Sequence, residues 1–238
     1  MPIDTTPAAG RRAMVIGASR GIGLGLVRSL LGRGWQVTAT VRDPERVPAA
    51  LSELQSQHPQ QLGVAAFDMA QEASARTLVT PAQPLQLLVV SAGVLGPEHQ
   101  RADQVTRDEL ADLFNINAMA PLRVARALLP ALSTGGVVAF ISSRMGSVAL
   151  NDGEGLELYR ASKAALNSLT RGFAIKEAIP AGLGVLNLHP GWVQSDMGGS
   201  NAPVTVEQST RGMVTVMEEA LGQSEHRFLD FEGNTLDW

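Results

Sequence analysis

The sequence predicts an α/β protein built on a doubly wound parallel sheet. Three observations predict it: short runs rich in Val, Ile and Leu recur along the chain, longer helix-like stretches separate them, and a glycine cluster follows the first run. Strands covered on both faces by crossover helices read as unbroken apolar runs, and residues 13–16, 36–41, 63–67, 85–90, 136–141 and 183–188 have that character. A sheet of about seven strands, with helices on both faces, is the expectation.

Composition narrows the class. A length of 238 residues suits an open α/β sheet built as a single unit, so residues 12–238 are expected to form one domain behind a flexible tail of residues 1–11. With 45% hydrophobic and 18% charged residues the chain is not of the disordered kind, and a net charge of -4 offers nucleic acid no electrostatic hold. Without cysteine there is no disulfide and no thiolate-bound metal, and no metal site is expected. Residues 1–12 lack the apolar core of a signal peptide, and no run reaches the roughly 18 apolar residues of a spanning helix. A cytoplasmic protein with no membrane partner is expected.

The first strand leads into Gly17-Ala-Ser-Arg-Gly21-Ile-Gly23 and then into an apolar helix. Glycines there permit a tight turn and close backbone approach to a pyrophosphate, whose charge is favoured by the free N–H groups of a helix start. Gly17, Ser19, Arg20, Gly21, Ile22 and Gly23 are candidate nucleotide contacts, although a tight turn with no ligand uses glycine in the same way. At the end of the second strand a carboxylate would bind the ribose 2′-OH of NAD, whereas an arginine accommodates the 2′-phosphate of NADP. Val41 occupies that position and Arg42 follows it, with Arg20 as a second cationic contact, so NADP(H) is the expected cofactor. Asp43 and Pro44 read as the cap and first residue of the next helix. Asp68 and Met69, beyond the third strand, read either as the border of an adenine site or as a helix start.

Further on, Asp108 opens a periodic helix that Pro130 closes ahead of Gly135 and Gly136. The fifth run ends on Ser142-Ser143, at the sheet edge where α/β proteins bind ligands. Residues 144–158 and 194–204 break the alternation at that same edge. Tyr159 and Lys163 stand one helical turn apart and share a face, with Cβ atoms about 5–6 Å apart. A close ammonium stabilises a phenolate and lowers a tyrosine pKa from its ordinary value of about 10, which suits Tyr159 to proton transfer. A buried tyrosine beside a solvated lysine has the same spacing, but Tyr159 is the only tyrosine in the chain and the two serines offer hydroxyls for a carbonyl oxygen. No Gly-x-Ser-x-Gly elbow is present, and His189 reads as a strand-end residue rather than a hydrolase base.

From Arg12 onward these residues resemble the short-chain dehydrogenase/reductase family, whose fold is of the Rossmann type. Gly17, Gly21 and Gly23 match its cofactor loop, Asn117 in Phe-Asn-Ile-Asn its structural and catalytic asparagine, Ser143 its active-site serine, and Tyr159 and Lys163 its Tyr-x-x-x-Lys pair. The stretch His189-Pro-Gly-Trp-Val-Gln-Ser195-Asp-Met197 resembles the segment that meets the nicotinamide carboxamide, which makes Pro190, Gly191, Val193 and Ser195 cofactor contacts; Ala92 and Gly93 follow the fourth strand in the same role. Ile-Ser-Ser-Arg-Met-Gly-Ser, Tyr-Arg-Ala-Ser-Lys-Ala-Ala-Leu-Asn and the ending Arg227-Phe-Leu-Asp-Phe-Glu-Gly are similar to the C-factor-like and sniffer-type carbonyl reductases. Two departures stand out: Val90-Ser91 replaces a family Asn-Asn, and Asn115 competes with Asn117 just as Ser142 does with Ser143. The resemblance implies reduction of a ketone or aldehyde by NADPH, with Tyr159 as proton donor, Lys163 on the nicotinamide ribose, Ser143 orienting the carbonyl and Asn117 supporting a proton path. Val148, Leu150, Leu156 and Met197 point to a small apolar or aromatic carbonyl substrate, and the long helices to a homodimer or homotetramer. An NADP(H)-binding regulatory protein and an NAD-linked alcohol dehydrogenase are the alternative readings.

Overall fold

The computed structural model describes residues 10–71 and 83–238, so most of the expected tail lies outside the described residues. Its strands are β1 (Arg12–Ile16), β2 (Gln36–Val41), β3 (Leu62–Ala66), β4 (Leu85–Val90), β5 (Leu132–Ile141), β6 (Gly184–His189) and β7 (His226–Asp230). They form a seven-stranded, wholly parallel sheet in the order β3-β2-β1-β4-β5-β6-β7. The chain therefore reverses its direction of travel between β1 and β4. A crevice opens there at the carboxyl ends of the strands, where doubly wound sheets bind ligands.

The helices are α1 (Gly21–Leu31), α2 (Ala49–Gln57), α3 (Arg107–Phe114), α4 (Ala120–Leu128), α5 (Glu157–Phe173) and α6 (Val206–Glu219). Helices α1 and α6 cover one face of the sheet, burying Leu26, Leu30, Met213 and Met217 against Val15, Val37, Leu87 and Leu186. On the other face α4 and α5 bury Val124, Leu128, Leu166 and Phe173 against Ile16, Leu88, Val138 and Phe140. Both faces of the central strands are dry, which is why they read as unbroken apolar runs.

Three boundaries differ from expectation. Strand β5 begins at Leu132 rather than 136, because Gly135 takes a left-handed backbone (φ +79°) and the register shifts opposite Leu85 and Leu87, letting the strand bulge and continue through the glycine pair. Thr106, not Asp108, starts α3: its hydroxyl accepts the Glu109 N–H while the Glu109 carboxylate accepts from the Thr106 N–H. Asp43 caps only the single turn Pro44–Arg46, and α2 begins later, at Ala49. Strand β7 stood outside the six apolar runs because it is an edge strand that buries only Phe228 and Leu229.

Candidate active site

The glycine loop is built by steric necessity. Gly17 has φ +83°, and a Cβ there would stand 2.8 Å from that of Ala92; at Gly23 a Cβ would stand 2.0 Å from the Gly17 carbonyl oxygen. Thr40 closes the loop from β2, its hydroxyl accepting the Gly17 N–H (3.1 Å) and its carbonyl the Ala18 N–H (2.9 Å). Helix α1 starts with no side-chain cap and no acidic residue in its first turn, so its leading N–H groups face a cleft of about 320 Å³. That donor set fits an anion such as a pyrophosphate. Gly17, Ser19, Arg20, Gly21, Ile22 and Gly23 line this cleft with Arg42, Asp68 and Met69 at one end and Ala92, Gly93 and Ser195 at the other. Asp68 lines the cleft and accepts the Ala70 N–H at 3.0 Å, while the helix start expected after it lies outside the described residues. Arg20 pairs with Asp196 across the mouth, while exposed Arg42 lines the far end; the dinucleotide NADP(H) suits such a cleft by charge.

The cleft opens into a second cavity of about 610 Å³, and Ile22, Ser91, Gly93, Ser195 and Met197 line both. Tyr159, Lys163, Ser143, Pro190, Gly191 and Val193 border this larger space. Lys163 Nζ lies 5.7 Å from the Tyr159 ring centre and donates to the Ile141 carbonyl at 3.0 Å. Contrary to the lowered value expected of it, Tyr159 is pushed up to about 12: burial disfavours the phenolate, and the Ser143 hydroxyl beside it opposes that only in part. Burial also takes Lys163 down to about 8. Removing both side chains from water outweighs their proximity.

The two competing pairs are separated by geometry. The Ser142 hydroxyl is turned into the protein, donating to Asn167 Oδ1 at 2.7 Å, whereas Ser143 caps the turn Arg144–Gly146 beside Tyr159. Fully buried Asn117 lies in a widened π turn, accepts from Val94 N–H (2.9 Å), donates to the Val94 carbonyl (2.8 Å) and Ser162 (3.0 Å), and faces Gly93. Asn115 instead reaches Ala70 and Arg123. Of the departures, Val90 joins the apolar layer, and Ser91 donates its N–H to the Ile16 carbonyl at 2.9 Å while its side of the backbone faces both cavities. Among the four residues expected to contact substrate, Leu150, Leu156 and Met197 line the large cavity; Val148 does not, being 75% exposed on the far side of the same loop.

A buried polar network that sequence reasoning missed holds α5 in place. Asn167 Oδ1 accepts from Ser142 and from Asn187 of β6 (2.7 Å each), its Nδ2 donates to the Gly146 carbonyl (3.1 Å), and Asn187 reaches Thr170 (2.9 Å) and His226 (3.1 Å). Asn167 and Thr170 continue the Tyr159 and Lys163 face, and Asn187 interrupts an apolar strand; those were the available signals. Gly146 lets the turn press on α5, since a Cβ there would stand 2.8 Å from the Lys163 carbonyl carbon. His189 lies at the strand end as expected, lowered to about 4 by burial.

A family model described as short chain dehydrogenase matches residues 11–204. The chain is a short-chain dehydrogenase. The resemblance expected from its motifs is thereby borne out, and the family is one of oxidoreductases. The C-signal protein of Myxococcus xanthus is 41% identical to this dehydrogenase over 157 residues, covering 65% of this chain and 93% of that protein. A carbonyl reductase from Pseudomonas aeruginosa PAO1, solved in complex with NADP, is 42% identical over 96% of this chain and 99% of its own, with a TM-score of 0.88. The carbonyl reductase Sniffer of D. melanogaster is 30% identical over 96% of this chain and 99% of its own, with a TM-score of 0.84.

Proposed function

We propose that this dehydrogenase is an NADPH-dependent carbonyl reductase acting on a small apolar or aromatic ketone or aldehyde. The observation that carries the reading is the placement of Tyr159, Ser143 and Lys163 where the glycine-lined cleft opens into a mainly apolar cavity. NADPH, held by the glycine loop and by Arg42 at its 2′-phosphate, supplies the hydride. Tyr159 keeps its proton throughout the neutral range, as a donor to a developing alkoxide must. Ser143 orients the carbonyl oxygen, Lys163 holds positive charge beside the phenol, and Asn117 fixes the loop that carries Gly93. Leu150, Leu156 and Met197 exclude water from the carbonyl.

Tyr159→Phe protein is expected to bind NADPH normally and to lose NADPH-linked reduction across a carbonyl panel. Near-normal reduction by that variant overturns the assignment. Tight NADPH binding by the wild type with no turnover on any carbonyl favours a regulatory protein instead. We further propose pairing of copies through α3, α4 and α5, where Leu110 on α3, Met119 just before α4 and Ile175 just after α5 are exposed; light scattering in solution tests it. Among the described residues no helix is long and apolar enough to cross a membrane.

A further inference from the structure

The first turn of α5 carries Tyr159, yet the helix has no cap of its own: Leu156, at the capping position, has an apolar side chain and a left-handed backbone (φ +50°). A helix start leaves its first N–H groups without intrahelical partners, and a buried one needs an acceptor from elsewhere. For Tyr159 that acceptor is Gln100, whose Oε1 takes the Tyr159 N–H at 3.0 Å. The Gln100 side chain is buried, and its amide nitrogen donates to the carbonyls of Leu95 (2.8 Å) and Pro97 (2.7 Å), so both ends of the amide are engaged. Its backbone is also left-handed (φ +53°), and among the described residues Gln100 and Leu156 are the only non-glycine residues with positive φ. Such backbone strain persists only where the surroundings impose it. The carbonyls that Gln100 grips belong to the loop running on from Gly93 and Val94, which face Asn117 and the nucleotide cleft. Gln100 lines neither cavity of the site.

We propose that Gln100 is a positioning residue for the reaction: by capping Tyr159 from the loop after β4, it sets where the phenol stands relative to Ser143 and to the nucleotide cleft. The inference rests on Tyr159 being the proton donor. Gln100→Met keeps the length of the side chain and removes both its acceptor and its donors. Its kcat is expected to fall about tenfold to a hundredfold, with the KM for NADPH unchanged, since small misplacements of a reacting group cost rates of that order. Thr106→Ala, which removes an exposed cap away from the site, serves as the stability control and is expected to lower Tm while leaving kcat at the wild-type value. Should Gln100→Met fail to fold, Gln100→Ala, which also removes the acceptor and the donors and leaves room for water to replace them, is read in the same way. If Tyr159→Phe remains active, the proton-donor assignment fails and this proposal with it. If Tyr159→Phe is inactive while the Gln100 variant keeps wild-type kcat, or loses only what Thr106→Ala loses for an equal fall in Tm, the positioning role alone is overturned.

Discussion

Burial and charge act against each other at Tyr159 and Lys163, and the outcome fixes a pH dependence. Lys163 loses its proton as pH rises through about 8, while Tyr159 holds its own to about 12. Carbonyl reduction is therefore expected to decline with rising pH from about 8, long before the phenol ionises, and a profile of kcat/KM at saturating NADPH checks it. At the other end of the cleft, Arg42→Ala is expected to weaken NADPH binding about tenfold to a hundredfold, the usual worth of charge-assisted hydrogen bonds, and to leave NADH binding unchanged. Equal losses for both nucleotides would assign Arg42 no part in telling them apart. At this scale the spacing of Tyr159 and Lys163 was readable, because a helix places residues four apart on one face. The direction of the tyrosine shift was not, because it depends on how much of the surrounding protein excludes water.

Helix α5 is the element on which the site depends, and packing rather than propensity holds it. Asn167 and Thr170 bind Ser142 and Asn187, so its register against β5 and β6 is set by a network of buried polar groups. Asn187→Leu is expected to cost about 1–3 kcal/mol in urea unfolding, the usual penalty for stranding buried polar partners. Gly146→Ala would press a methyl group onto the Lys163 backbone, and a fall in both Tm and kcat is expected as α5 shifts. Helix existence was legible from periodicity. Helix starts were less so: Thr106 outcompeted Asp108 because it alone has Glu109 three residues on to complete a reciprocal cap, and the cap of α5 comes from Gln100, a residue 59 positions from the N–H it accepts.

Two partly buried histidines give the molecule one source of acid sensitivity. His189 and His226 are both held near 4 in the folded chain, by burial first, against 6.5 when exposed. The unfolded chain thus binds more protons at these two histidines between about pH 6.5 and 4, so the stability they contribute is full above 6.5 and is lost as pH falls through that window. Urea midpoints measured across it should drop, and His226→Gln should flatten part of the slope. The doubly wound sheet, the glycine loop after β1 and the Tyr159–Lys163 pair were determined by the sequence alone, because apolar period, turn chemistry and helical spacing are local properties. Tertiary structure decided what depends on distant partners: that the Ser143 hydroxyl stands beside Tyr159 while that of Ser142 turns to Asn167, that Asn117 rather than Asn115 holds the loop at Gly93, that Val148 turns away, that β7 completes the sheet edge, and that Gln100 holds Tyr159. Those outcomes follow from which groups burial deprives of water and which partners the fold brings within hydrogen-bonding reach, and neither is written in the spacing of residues along the chain.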